Sequence, residues 1–208
     1  MAGETLTSNE QVAVFFACES CRGLQPVASV RVRSGPFQDR PQASTMGRAP
    51  RQSQSTVSHG WNATQVSVGK GPEGFDVSPD GKEVWAANSH DGTISIIDFS
   101  KKAVVQTLNV GTRMANQLKF TPDGKLVFIS DLGGHELVVV DIIARKELKR
   151  LELGGGAAGI LMQPDGLRAY VAVGSQNGVT IIDLKTMEAA GHIETGPGPD
   201  GLAWAIKD

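Results

Sequence analysis

Ser78-Pro79-Asp80-Gly81-Lys82-Glu83-Val84-Trp85-Ala86-Ala87-Asn88-Ser89-His90-Asp91-Gly92-Thr93-Ile94-Ser95-Ile96-Ile97-Asp98 is the stretch whose reading decides the fold. It opens on Ser-Pro-Asp-Gly, the chemistry of a type I turn: proline presets φ, aspartate bonds locally, and glycine accepts a positive φ. Glu83 to Asn88 then reads as a strand, closed by a second turn at Ser89-His90-Asp91-Gly92. Thr93 to Asp98 is β-branched and almost continuously apolar, which suits a strand buried on both faces. Outward from this hairpin, Gly74 to Ser78 reads as a preceding strand, and Val104 to Val110, alternating apolar with polar, as an outer, half-exposed one. Helix is disfavoured because each apolar run is short and bounded by Gly, Pro, Asp or Asn.

The unit recurs. Pro-Asp-Gly stands at Pro79, Pro122 and Pro164, in steps of 43 and 42 residues. An apolar pair followed by aspartate ends at Asp98, Asp141 and Asp183 in the same steps. A glycine opens each unit at Gly69, Gly111, Gly154 and Gly196. Trp85, Phe128 and Tyr170 each stand 13 residues before the marker aspartate, and are expected to fill the seams between units. A four-stranded repeat of about 40–45 residues is the period of a β-propeller blade. The fold class is therefore all-β: a propeller of four-stranded blades at about 69–110, 111–153 and 154–195, with a partial strand in 196–208. Thr64 to Val68 reads as the last strand of an earlier blade, and Gly201 to Ala205 as the first strand of a later one.

These motifs resemble the YVTN-repeat β-propeller family, related to surface-layer and lactonase-fold propellers. Trp85-Ala86-Ala87-Asn88, Phe128-Ile129-Ser130-Asp131 and Tyr170-Val171-Ala172-Val173 match its tetrapeptide, and Gly71-Pro72-Glu73-Gly74 and Gly198-Pro199-Asp200-Gly201 its blade opening. The resemblance implies a ring of about seven blades, more than the three complete units present. An incomplete ring is the preferred reading, because a half-ring leaves apolar faces and strand edges uncovered; two copies joining to complete a ring is the other. The resemblance also implies a periplasmic or extracellular location, although no signal peptide is visible: Val12 to Cys18 is short and follows Glu4 and Glu10.

Residues 1–62 differ in composition. Every basic residue there is arginine, and Ser34 to Ser58 is rich in Pro, Gln, Ser and Arg, so this segment is expected to be disordered or outside the domain. No run approaches the about 20 apolar residues of a membrane span. The net charge of −2 gives no reason to expect nucleic acid as a partner.

The chemistry is sparse. Cys18-Glu19-Ser20-Cys21 lacks the second pair or histidine that a metal or haem site requires. His59, His90, His135 and His192 share no repeat position, although His90 and His135 fall in turns on one face. The marker aspartates repeat in every blade, which favours turn capping over catalysis. Lys82, Lys101, Lys102, Lys125, Arg145, Lys146, Arg168 and Lys185 collect on one rim, with aspartates interspersed. On the opposite rim, blade-opening loops and second-to-third-strand turns surround the channel mouth, where propellers place binding groups. Asn88, Asp91, Arg113, Asn116, Asp131 and Asp200 are the candidate ligand-binding residues. No catalytic residue, metal ligand or cofactor is expected. The function expected is a binding scaffold for a protein or small molecule, with self-association through uncovered blade edges. The alternatives are part of a lactonase-like hydrolase, and nucleic-acid binding through the basic rim.

Overall fold

The computed structural model describes strands at 11–16 and 27–33 and the continuous stretch 61–205. Ser34 to Ser58, the Cys18 and Cys21 pair and His59 lie outside the described residues.

Three four-stranded antiparallel sheets follow one another along the chain. Blade 1 consists of β4 (Pro72–Val77), β5 (Glu83–Asn88), β6 (Thr93–Asp98) and β7 (Ala103–Asn109), paired in sequence order. Blade 2 repeats this with β8 (Ala115–Phe120), β9 (Leu126–Asp131), β10 (Glu136–Asp141) and β11 (Lys146–Glu152). Blade 3 has β12 (Ala157–Met162), β13 (Arg168–Val173), β14 (Gly178–Asp183) and β15 (Glu188–Glu194). The chain is a segment of a β-propeller, and the second and third strands of blade 1 occupy the positions read from their turns.

Even the irregularities repeat. A bulge separates Ile96 from Ile97, Val139 from Val140 and Ile181 from Ile182, at one position of each third strand. Another lies between Pro72 and Phe75, Ala115 and Leu118, and Ala157 and Ile160 on each first strand. Bulges raise the local twist, so each blade bends alike.

The first strands of consecutive blades run side by side, β4 against β8 and β8 against β12. A Cβ at Gly74 would collide with the backbone of Asn116 and Gln117. Glycine is needed there because backbone meets backbone.

Two seams bury the core. The seam between blades 1 and 2 gathers Trp85, Ile94, Ile96 and Leu108 against Leu118, Phe120, Val127 and Val138. Trp85 meets the edge of Phe120 at 5.6 Å between centroids. The seam between blades 2 and 3 gathers Phe128, Leu137 and Val139 against Ile160, Val171 and Ile182, with Met162 beside them. Trp85 and Phe128 are fully buried, as the repeat implied. Tyr170, the third member of the set, is only half-buried; its ring lies 6.1 Å from that of Trp204.

Upstream of blade 1, β1 (Gln11–Phe16), β2 (Val27–Arg33) and β3 (Trp61–Ser67) form a three-stranded antiparallel sheet. β3 is the strand expected from Thr64 to Val68, and its Val66 packs against Val84 and Ile97 of blade 1. β1 and β2 fall within residues 1–62, where no repeat marker announced a strand. Downstream, Gly201 to Ala205 was expected to form a strand and does not: no neighbouring strand pairs with it among the described residues. Asp200 nevertheless lies against Gly159 as Asn116 lies against Gly74. The segment occupies the place of a first strand, with no sheet to join among the described residues.

Candidate functional site

The blade-opening loops and second-to-third-strand turns form one end of each blade, held together by backbone hydrogen bonds. Ser89 N–H donates to Gly71 O at 2.8 Å, and Leu132 N–H to Met114 O at 2.9 Å. The last residue of this turn is left-handed in all three blades: Gly92 (φ 68°), His135 (φ 64°) and Asn177 (φ 50°). His135 thus stands where the turn requires αL, a conformation His and Asn tolerate better than most residues. His90 occupies a different turn position, and both imidazoles are exposed.

Asp131 is the most heavily engaged of the candidate residues. It is 1 % exposed, and its carboxylate accepts from the backbone N–H groups of Arg113, Met114, Gly133 and Gly134 at 2.8–3.1 Å. Its lone pairs are spent tying the blade-opening loop to the turn. Asn88, at the same repeat position in blade 1, donates from Nδ2 to Thr93 Oγ1 at 2.8 Å and Ser95 Oγ at 3.0 Å. Its Oδ1 is buried without a hydrogen-bond partner. In blade 1 the tie to the opening loop comes from Asp91 instead, whose Oδ2 accepts from Lys70 N–H at 2.8 Å and whose Oδ1 caps Thr93. Blade 3 has apolar Val173 at this position, and Gln176 Nε2 bonds Leu153 O at 2.6 Å.

The other candidates sit apart. Asn116 Nδ2 donates to Glu73 Oε1 at 3.0 Å, bridging the first strands of blades 1 and 2. Arg113 is exposed beside Met114 and Leu132, which are 42 % and 36 % exposed. Asp200 is exposed, against Gly159. The structure therefore pairs these residues within or between blades and does not gather all six around one point.

Two groups that sequence reading missed tie one blade to the next. On the inner side, Asp76 accepts from Phe120 N–H at 3.1 Å and pairs with Lys119, and Gln117 Oε1 accepts from Ile160 N–H. On the outer side, Arg145 of blade 2 donates to Glu83 and to Gln106 of blade 1. Arg150 donates to Val110 O, Glu136 and Glu147. Its hydrogen bonds to Glu147 and Glu136 hold the guanidinium firmly protonated, and it in turn pulls the Glu147 carboxyl below its usual range. The Arg145 to Glu83 contact was not legible in the sequence, because its partner lies one blade away.

The marker aspartates are turn caps. Asp98 accepts from Ser100 Oγ and Lys101 N–H, Asp141 from Ala144 N–H, and Asp183 from Thr186 and Lys185 N–H. The hydrogen bond from Ser100, then that from Lys101, draws the Asp98 carboxyl well below the usual range; backbone bonds from Thr186 and Lys185 lower Asp183. Asp80 and Asp123 are lowered chiefly by the hydroxyls of Ser78 and Thr121. On that rim Lys82 pairs with Asp80, Lys101 with Asp98, and Lys125 with Asp123. Two clefts open on the rim, about 420 Å³ between blades 1 and 2 beside Asp80 and Arg145, and about 640 Å³ between blades 2 and 3 beside Asp165 and Lys185.

Blades, seams and turns together define a β-propeller segment. Residues 38–167 match the family model described as the cytochrome D1 heme domain, and the chain belongs to that family, one of eight-bladed propellers. Among solved structures, Kuenenia stuttgartiensis hydrazine synthase is similar at 25 % identity and a TM-score of 0.61, over 73 % of this chain. The chain spans 42 % of the length of that protein. No curated protein matches.

The family's name raises the question of haem. Among the described residues no group of three or more His, Cys, Asp and Glu is placed to hold a metal ion; a haem iron takes only one or two axial side chains. Neither cleft is lined by His or Cys, and the innermost strands β4, β8 and β12 carry neither.

Proposed function

We propose that this chain is a non-catalytic propeller scaffold that binds a protein or small ligand at the turn-lined end of its blades. The observation that carries this reading is Asp131. The buried carboxylate of that end, the best candidate for acid–base work, is occupied by four backbone donors. What the end offers outward is a contact surface of Met114 and Leu132 flanked by Arg113. Asn88, Asp91, Asn116, Asp131 and Asp200 then act by shaping and bordering that surface. The YVTN-type repeat is the finer description we propose for the blades, and the boundary near residue 62 the division we propose for the chain.

The test is capture of a binding partner by immobilised chain, compared with Met114→Glu/Leu132→Glu. Loss of capture with an unchanged β-sheet spectrum supports the reading. Turnover of a lactone panel that vanishes in Arg113→Ala would replace it with the hydrolase reading. A second reading, haem binding, is favoured by the family match. Titration with haemin reads it: a saturable Soret shift at a 1:1 ratio would establish haem binding by these blades alone.

A further inference from the structure

The second-to-third-strand turns of the three blades are tied down unequally. In blades 1 and 2 a carboxylate holds the blade-opening loop, Asp91 through Lys70 N–H and Asp131 through the N–H groups of Arg113 and Met114. Blade 3 has Val173 at the Asp131 position, and among the described residues no carboxylate bonds its turn. The remaining side-chain tie runs from Gln176 to Leu153 O. The backbone bond from turn to loop is also longest there. Gly174 N–H lies 3.4 Å from Gly156 O, against 2.8 Å for Ser89 to Gly71 and 2.9 Å for Leu132 to Met114. Local opening begins at such weakly held segments.

That turn carries Asn177-Gly178, the one Asn-Gly pair in the sequence. Asn177 is exposed and left-handed, at φ 50° and ψ 41°. Glycine at the matching Gly92 adopts this conformation without penalty, and asparagine at some cost. The Asn177 side-chain amide makes no hydrogen bond among the described residues. Those of Asn88, Asn109 and Asn116 are each engaged. A Cβ at Gly178 would run into the His192 imidazole and Ile193 O, so packing keeps a glycine there. With no side chain to shield it, the Gly178 nitrogen can approach Asn177 Cγ once the turn opens and ψ rotates.

We infer that Asn177 converts, without an enzyme, to aspartate and isoaspartate, which makes the blade 3 turn a modification site. The Gly178 nitrogen gives its proton to solvent base and bonds to Asn177 Cγ. The Cγ–Nδ2 bond breaks, and Nδ2 leaves as ammonia after taking a proton from water. Water then opens the succinimide, at Cγ to give aspartate or at the backbone carbonyl to give isoaspartate. Either product adds a negative charge to the turn-lined end. Isoaspartate also lengthens the main chain by a methylene, beside the pairs that Gly178 makes with Val173 and Glu194, and so loosens the start of β14. The inference does not depend on what the surface at Met114 and Leu132 binds.

The experiment is incubation of the full chain at neutral and mildly alkaline pH, followed by proteolysis and mass measurement of residues 169–185. A synthetic peptide of that sequence, in which nothing restrains ψ, runs beside it as the clock. Expected is replacement of an amide NH2 by OH within 169–185, with isoaspartate among the products. The folded chain should react at no less than about one-tenth of the peptide's rate, an opening cost of at most about 1.4 kcal/mol. The rate should rise with pH, because the attacking nitrogen must lose its proton. Asn177→Gly keeps the left-handed turn and should abolish the change. A folded chain slower than that limit overturns the inference. So does a mass change that persists in Asn177→Gly, aspartate without isoaspartate, or a rate indifferent to pH.

Discussion

The seam between blades 1 and 2 and the far face of blade 3 are built from one pattern and end in different states. In the first, Trp85 is fully buried, and Arg145 and Arg150 reach across to fasten blade 2 to blade 1. In the second, Tyr170 meets the tilted ring of an exposed Trp204, and β15 is bare. The repeat positions correspond, Trp85, Ile94, Ile96 and Leu108 to Tyr170, Val179, Ile181 and Ile193, and the two faces differ in what stands opposite. A propeller blade owes most of its stability to its neighbour: each small sheet is too thin to bury two faces by itself.

Substitutions at the aromatic position break this comparison most sharply. Phe128→Ala empties the middle of a fully packed seam and should cost about 3–5 kcal/mol by denaturant titration. Asp131→Ala leaves four backbone N–H groups of part-buried hydrogen bonds without their acceptor, and should cost about 2–3 kcal/mol. The same assay on Asp91→Ala, an exposed tie in blade 1, should show under about 1 kcal/mol. Tyr170→Ala should also fall below about 1 kcal/mol, because its ring is only half-buried. A loss at Tyr170 equal to that at Phe128 would show that the far face is closed.

Acid should act on both regions alike, since turn caps are local. Asp80, Asp98, Asp123 and Asp183 have carboxyls lowered in the folded state. A lowered folded pKa gives stability that is present above the unfolded value and lost as pH falls. The melting temperature should therefore drop as pH falls below about 4. Asp98→Asn and Asp183→Asn should each flatten that drop slightly, although one lies in blade 1 and the other in blade 3.

The blades were legible because their turns announce them. Pro79-Asp80-Gly81 and Asp91-Gly92 bracket Glu83–Asn88, and the strand forms between those limits. Asp98 and its equivalents were legible as caps for the same reason: the bonds span two or three residues. Links from blade to blade were not. Glu73 with Asn116, or Arg145 with Glu83, are 43 and 62 residues apart and meet only through the packing of complete sheets. β1 and β2 were missed because they lack the turn chemistry that marks later strands. Gly201 to Ala205 was read from its repeat position, which it keeps, but a strand also requires a partner to bond. Of the six candidate residues, Asp131 and Asn88 proved to share one repeat position with unlike roles, a difference that depends on the loop each one faces.

Hydrogen exchange along the chain tests the central claim most directly, that consecutive blades hold one another and that the far face of blade 3 is uncovered among the described residues. The slowest amides should lie in β5, β6, β9 and β10, with protection declining through β14 to a minimum in β15. Protection in β14 and β15 equal to that in β9 and β10 would contradict the account.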